Sequence, residues 1–239
     1  MRRCLLLSNS TSFGVGYLDH AMPAVLDFLG PVRRLVFVPF ALADHAGYVA
    51  KCRERFEREG VDVVGLTPGG QGEALLACGE AVFVGGGNTF RLLDRLDRSG
   101  LLGLLRRRVL EGMPYLGASA GTNIAGPTIR TTNDMPIVEP RSFEALGLVP
   151  FQINPHYVDA DPASRHMGET REERLREYLE ENETPVVGLR EGAWLRAERA
   201  SLRLEGGAGA RIFRRGQPPE DAAPGTALDG LLSESRQVE

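Results

Sequence analysis

The chain has 239 residues, of which 42% are hydrophobic and 25% charged, the balance of a globular protein with a substantial core and room for one large α/β domain or two small ones. The formal net charge is −4 and there is no basic block, so the electrostatic footprint of a nucleic-acid binder is missing. No apolar run approaches the ~20 residues of a membrane span, and the apolar stretch of "MRRCLLLSNS" is too short for a secretory signal, so no membrane partner and a cytoplasmic location are expected.

In chain order, strands and helices alternate. A strand is predicted over Arg3–Asn9, a helix over Tyr17–Leu29, a strand over Arg33–Phe40 and a helix over His45–Glu59. Strands follow at Val61–Leu66 and Ala81–Gly86, helices at Asn88–Asp97 and Leu101–Glu111, and a further strand at Pro114–Ala118. The strands are continuously apolar rather than alternating, and each precedes a helix, which indicates a doubly wound, mostly parallel sheet covered on both faces. Beyond it, Phe151–Val158 and Thr184–Leu189 read as strands around a charged helix, "AWLRAERASLRLEG" reads as a C-terminal β-hairpin and "ARIFRRG" as a last strand. No linker divides the chain, so residues 1–216 are expected to form a single α/β domain. From Gln217 the segment 217–239 is rich in Pro, Gly and acidic residues and is expected to be a flexible tail. Cys4, Cys52 and Cys78 show no CxxC spacing and read as buried free thiols of a reducing compartment.

Open parallel sheets bind ligands beyond the carboxyl ends of their strands, so the residues just after each strand carry the functional reading. In "PYLGASAGTNIAG" a strand runs into G-x-S-x-G and then a helix. This is the context in which a strained turn pushes a serine Oγ out of the sheet, and it makes Ser119 the candidate nucleophile. The pattern alone is weakly specific; the strand–turn–helix setting strengthens it. "GGGNTF" follows another strand, and N–H groups near Gly86 and Gly87, with that of Ala120, are candidates for an oxyanion hole. A phosphate cradle is the weaker reading, because no Walker lysine follows and G-x-G-x-x-G is not satisfied. Among the histidines, His20 and His45 lie on or beside helices and His166 lies in a polar loop. His156, at a strand end in "INPHY", is the candidate general base. The third member is open between Asp134 in "TIRTTNDMP" and Glu191 in "EGAWL"; a strand end holds a carboxylate more rigidly, which favours Glu191. No metal-ligand spacing such as H-E-x-x-H occurs, and no metal or other cofactor is expected.

With these residues in place, the chain closely resembles peptidase E, the α-aspartyl dipeptidase family. The resemblance runs through "LLLSNS", "FVGGGNTFRLL", "YLGASAGTNIAGPTIRTTNDMPIVEP", "LVPFQINPHYVD", "GETREERLRE" and "VVGLREGAWL". It implies a flavodoxin-like fold of the class I glutamine amidotransferase type and metal-free serine hydrolysis of dipeptides with an N-terminal aspartate, so a small peptide is the expected partner. It also implies Ser119 as nucleophile and His156 as base, with Asp134 matching an aspartate often assigned to charge relay and Glu191 matching the "EG" glutamate. Aspartate selectivity needs a cation for the β-carboxylate, for which Arg130 and Arg171 are candidates, and an acceptor for the α-ammonium, for which Asn88 and Asp134 are candidates. The chain departs from the family at Ala118, where an aromatic residue is common, and at Thr122, where alanine is common; both departures bear on pocket shape. The rival readings are a cyanophycinase-like peptidase acting on β-linked aspartyl peptides and a catalytically silent anion sensor, while a glutaminase would carry a thiol at the elbow. The oligomeric state is left open, with a homodimer as one option.

Overall fold

The computed structural model describes residues 2–67, 70–161, 163 and 167–233. Five strands form a parallel array: β1 (Arg3–Leu7), β2 (Arg34–Val38), β3 (Asp62–Gly65), β4 (Ala81–Val84) and β5 (Tyr115–Ala118). They are joined by α1 (Met22–Leu29), α2 (His45–Glu57), α3 (Gly72–Cys78), α4 (Thr89–Arg98) and α5 (Leu101–Leu110). The hairpin β8 (Ala193–Glu198) and β9 (Ser201–Gly206) adds antiparallel to β1, giving a seven-stranded sheet of order β3-β2-β4-β5-β1-β8-β9.

The period-two rule explains why these strands read as unbroken apolar runs. Leu5 and Leu7 of β1 face the layer of α1 and α2, among Phe28, Tyr48 and Phe56. Cys4 and Leu6 face the opposite layer, where α4 and α5 supply Leu92, Leu96 and Leu105. Both faces are covered, so neither needs polar residues. Helix α3 falls in a stretch for which no element was expected; its seven residues are too few for a periodic signal.

The strands β6 (Gln152–Tyr157) and β7 (Val186–Arg190) do not extend the main sheet. They pair in parallel with each other and continue into β10 (Ala210–Phe213) and β11 (Glu220–Ala222), forming a separate four-stranded sheet of order β11-β10-β7-β6. Helix α7 (Arg171–Glu181) connects β6 to β7. The chain passes from this sheet to the main one at a corner, Glu191–Gly192, between β7 and β8; Gly192 has φ 81° and donates its N–H to Asn9 Oδ1 at 2.8 Å.

The flexible tail expected from Gln217 is corrected for residues 217–233. Strand β11 pairs with β10, the Leu202 N–H donates to Asp229 Oδ1 at 2.6 Å, and Leu231 is buried in the core. The local composition is that of a loop, but the open edges of β9 and β10 supply partners that composition does not register. Residues 234–239 and His166 lie outside the described residues. Among the described residues, no helix is long and apolar enough to cross a membrane.

The cysteine reading needs one correction: Cys4 and Cys52 are buried, whereas Cys78 is exposed at the end of α3. Burial pushes the Cys4 thiol up to about 12 and the Cys52 thiol well above its ordinary value. Titration of the native protein with a thiol reagent near pH 8 is expected to detect Cys78 alone, with Cys4 and Cys52 appearing only in denaturant. Rapid native labelling at Cys4 or Cys52 would contradict the packing of β1 and α2.

Candidate active site

Ser119 stands between β5 and the one-turn helix α6 (Ala120–Asn123), with φ 52° and ψ −110°, a conformation rarely adopted by residues other than glycine. The two glycines of the motif are sterically required. A Cβ on Gly117 would lie 2.6 Å from the Gly121 carbonyl oxygen, and one on Gly121 would run into the Val84 carbonyl of β4. Only a chain stripped of both side chains turns this tightly against its neighbouring strand, and the turn lifts Oγ above the sheet.

His156 reaches Ser119 from the other sheet. It too has a positive φ, 54°, at a bulge where the β6–β7 register shifts between Pro155 and Tyr157. Its backbone N–H donates to Ser8 Oγ at 2.9 Å, and that hydroxyl donates to the Leu189 carbonyl at 2.8 Å. The bulge turns the imidazole toward β5, placing Nε2 2.9 Å from Ser119 Oγ. Nδ1 lies 2.6 Å from Glu191 Oε1 at the sheet-to-sheet corner. A carboxylate accepts only, so Nδ1 carries the proton and Nε2 presents its lone pair to the serine.

Both ring nitrogens are thereby occupied, and Asp134 makes no hydrogen bond or ion pair with His156. Its Oδ2 accepts from the Thr89 N–H at 2.7 Å, the Thr89 hydroxyl at 2.6 Å and the Thr132 hydroxyl at 3.1 Å. The carboxylate thus sits at the N-terminus of α4, where the helix dipole favours an anion. As a charge-relay candidate Asp134 is corrected; as a residue of the cleft it remains.

Two clefts meet on Ser119, His156 and Asp134. The larger, about 640 Å³, is walled by Ser10, Thr11, Tyr17, Leu42, Lys51, Gly86 and Gly87. The smaller, about 250 Å³, is walled by Thr89, Ala120, Asn123, Thr132, Asn133, Pro155 and Arg171. The other candidates divide between site and scaffold. Arg171 opens α7 behind a Thr170–Glu173 capping box and has no ion pair or hydrogen bond among the described residues. Burial, with Arg174 nearby, draws its pKa below the usual arginine range, and a helix N-terminus is an unfavourable place for a cation. With the Asp134 carboxylate as a nearby opposing charge but no hydrogen-bonded or ion-paired partner among the described residues, a guanidinium so placed is a ready site for an anion.

Arg130 is corrected. Its guanidinium lies 5.1 Å from the centre of the Phe143 ring, and it lines a separate pocket of about 390 Å³ that does not include Ser119. Asn88 is also corrected: its Oδ1 caps α4 by accepting from the Arg91 N–H at 3.0 Å, and its Nδ2 donates to the Met135 carbonyl at 2.8 Å. In the glycine-rich loop, the Gly86 N–H donates to the Tyr48 hydroxyl at 2.9 Å and is therefore already used. Burial pushes the Tyr48 phenol up to about 12, so it stays protonated. The N–H groups of Gly87 and Ala120 have no partner among the described residues, and Gly87 has φ 131° with Ala41 too close to admit a Cβ. The departures at Ala118 and Thr122 line neither cleft. Ala118 packs in the α1–α2 core, and the Thr122 hydroxyl donates to the Leu7 carbonyl at 2.6 Å.

Sequence reasoning passed over Ser8, Tyr48, Thr89 and Asn123. Ser8 and Asn123 stand inside stretches that carry the family resemblance, but what singles them out is their burial, and burial of a polar residue is not visible in a sequence.

Residues 4–204 match the model of peptidase family S51. The chain is 60% identical over 228 residues to peptidase E of Streptomyces coelicolor, an alignment covering 95% of this chain and 94% of that protein. It is 47% identical over 234 residues to a Drosophila melanogaster protein named "Probable alpha-aspartyl dipeptidase", covering 97% of this chain and 98% of that one. The fold is similar to the crystal structure of a peptidase from an acI-B1 actinobacterium, with a TM-score of 0.73, 15% identity and coverage of 95% and 96% of the two chains. By the family model and the near full-length relatives, the chain belongs to peptidase family S51, the serine-type peptidases that include peptidase E.

Proposed function

We propose that this protein hydrolyses dipeptides with an N-terminal aspartate through an acyl-enzyme at Ser119. The observation that carries the reading is the continuous chain Ser119 Oγ–His156 Nε2, His156 Nδ1–Glu191 Oε1, built on a strained elbow beside an unpaired arginine. Nε2 takes the Oγ proton as Oγ attacks the carbonyl carbon of the aspartyl residue. The developing oxyanion meets the N–H groups of Gly87 and Ala120; a donor of this kind typically contributes ~3 kcal/mol to the transition state. The tetrahedral intermediate collapses, the C–N bond breaks, and the leaving amine takes the proton from His156. Water, deprotonated by the same nitrogen, then attacks the ester and releases aspartate.

In this reading the smaller cleft takes the aspartyl residue, its β-carboxylate on Arg171 and its α-ammonium beside Asp134, whose Oδ1 has no partner among the described residues. The larger cleft takes the second residue, and its breadth supports a wide range of leaving groups. The relatives named peptidase E and alpha-aspartyl dipeptidase support the same specificity. The exposed free thiol of Cys78 supports a reducing, cytoplasmic compartment.

The test is hydrolysis of Asp-Leu, β-Asp-Leu, Glu-Leu and Ala-Leu with EDTA present, beside Ser119→Ala. Cleavage of Asp-Leu alone, insensitive to EDTA and abolished in the variant, is expected; cleavage of the β-linked peptide instead would transfer the enzyme to the cyanophycinase type. Glu191→Gln is expected to lower kcat by about 100-fold or more through loss of the tautomer and orientation of His156. Asp134→Asn acts mainly on KM, and equal kcat losses in the two variants would reverse these roles. Arg171→Ala is expected to raise KM for Asp-Leu by roughly 10- to 100-fold, the worth of a charge-assisted pair, with Arg130→Ala near neutral. The opposite ranking in steady-state kinetics would exchange the two arginines.

A further inference from the structure

Asn123 is a polar residue held inside the fold with one of its bonding groups unused. It ends α6, four residues after Ser119, and its N–H donates to the Ser119 carbonyl at 2.9 Å. The residue is only 1% exposed. Its Nδ2 donates to the Ile153 carbonyl at 2.8 Å and contacts Thr131 Oγ1 at 3.5 Å, while Thr131 Oγ1 donates to the same carbonyl at 3.0 Å. A carbonyl oxygen can only accept, so the amide nitrogen must face Ile153 and the amide oxygen must face away. That oxygen, Oδ1, is buried and has no hydrogen-bond partner among the described residues. Asn123 also lines the smaller cleft, with Ser119, Asp134 and Arg171.

A buried acceptor left unpaired destabilises the fold unless something donates to it. No described residue donates to Asn123 Oδ1, and the substrate of the proposed reaction brings a donor. In an aspartyl peptide the α-ammonium is two bonds from the carbonyl carbon that Ser119 attacks, so it must lie close to the start of α6. We infer that Asn123 Oδ1 accepts a hydrogen bond from the α-ammonium of the substrate and, with Asp134, forms the pocket that requires a free N-terminal amine. The inference rests on the α-aspartyl dipeptidase reading and adds a substrate-binding residue to it.

The chemistry of the pair suits the task. Arg171 and Asp134 supply one charge of each sign, matching the β-carboxylate and the α-ammonium. A neutral amide adds a second acceptor for the ammonium without adding a negative charge that would repel the β-carboxylate in a cleft of about 250 Å³. It also penalises any N-acylated substrate, whose amide nitrogen has lost the ammonium donors.

The test compares Asp-Leu with succinyl-leucine, the same molecule without the α-ammonium, in the unaltered protein and in Asn123→Ala. The unaltered enzyme is expected to prefer Asp-Leu. In the variant, kcat/KM for Asp-Leu should fall about tenfold or more while that for succinyl-leucine changes less than about twofold, so that the preference collapses. Equal losses on the two substrates would reduce Asn123 to a scaffold residue, and no loss on Asp-Leu would overturn the inference. Asn123→Asp is isosteric and, as the neutral acid, can both donate to the Ile153 carbonyl and retain an acceptor; assayed near pH 5 it should keep the preference even if Asn123→Ala does not fold, and loss of the preference there would equally overturn the assignment. Failure of the unaltered enzyme to cleave Asp-Leu would instead overturn the dipeptidase reading, and with it this one.

Discussion

Ser8 lies at the carboxyl end of β1, fully buried, where its hydroxyl receives the N–H of His156 and donates to the carbonyl of Leu189. It directly follows β1 of the seven-stranded sheet, while both partners belong to the four-stranded one. The proposed catalytic chain crosses this junction: Ser119 stands on the first sheet, His156 on the second, and Glu191 at the corner where β7 becomes β8. Sheets packed only through apolar side chains can slide by fractions of an ångström at little cost, and a proton transfer does not tolerate such a shift. A buried hydroxyl carried at the end of β1 and bonded to both β6 and β7 ties the second sheet to the first and opposes such a shift. The Gly192 N–H held by Asn9 does the same for the corner.

Backbone strain at the site is concentrated in the residues that meet there. Ser119 and His156 both hold a positive φ, a conformation that costs on the order of 1–3 kcal/mol for a side-chain-bearing residue. In each case rigid surroundings impose it. Ser119 is wedged between β4 and β5 by two glycines that admit no Cβ, and His156 sits in a bulge bonded to Ser8 on one side and, through Pro155, to Asn133 on the other. The strain turns Oγ and the imidazole toward each other, a contact that relaxed strands would not make.

The electrostatic layout separates two carboxylates with different tasks. The side chains of His156 and Glu191 are 41% and 53% exposed, so solvent screens their attraction and the pair contributes little as an ion pair. Its value in the proposed mechanism is geometric, fixing the tautomer and plane of the imidazole. Asp134 is more enclosed, anchored through Oδ2 to the start of α4, and faces Arg171 across the smaller cleft. The aspartate is thus suited to holding a cation and the glutamate to holding a ring.

The sequence by itself determined the layered α/β frame, because strands covered on both faces must be apolar throughout and helices between them must recur. It also determined the elbow, since G-x-S-x-G between strand and helix has few other uses, and it placed Ser119, His156 and Glu191 at strand ends. Tertiary structure alone decided how those ends meet. Asp134 and Glu191 are equivalent carboxylates in the sequence, and only the fold shows that both imidazole nitrogens are taken before Asp134 could reach one. Arg130 and Arg171 differ in the same way: one stacks on Phe143, and the other is left unpaired in the cleft. Asn88 and Gly86 sit in a loop that looks free in the sequence, but helix capping and the Tyr48 hydroxyl use their polar groups. Asn123 and Ser8 escaped notice for a related reason. Which buried polar atoms find a partner depends on groups far away in the chain, so local pattern cannot reveal it.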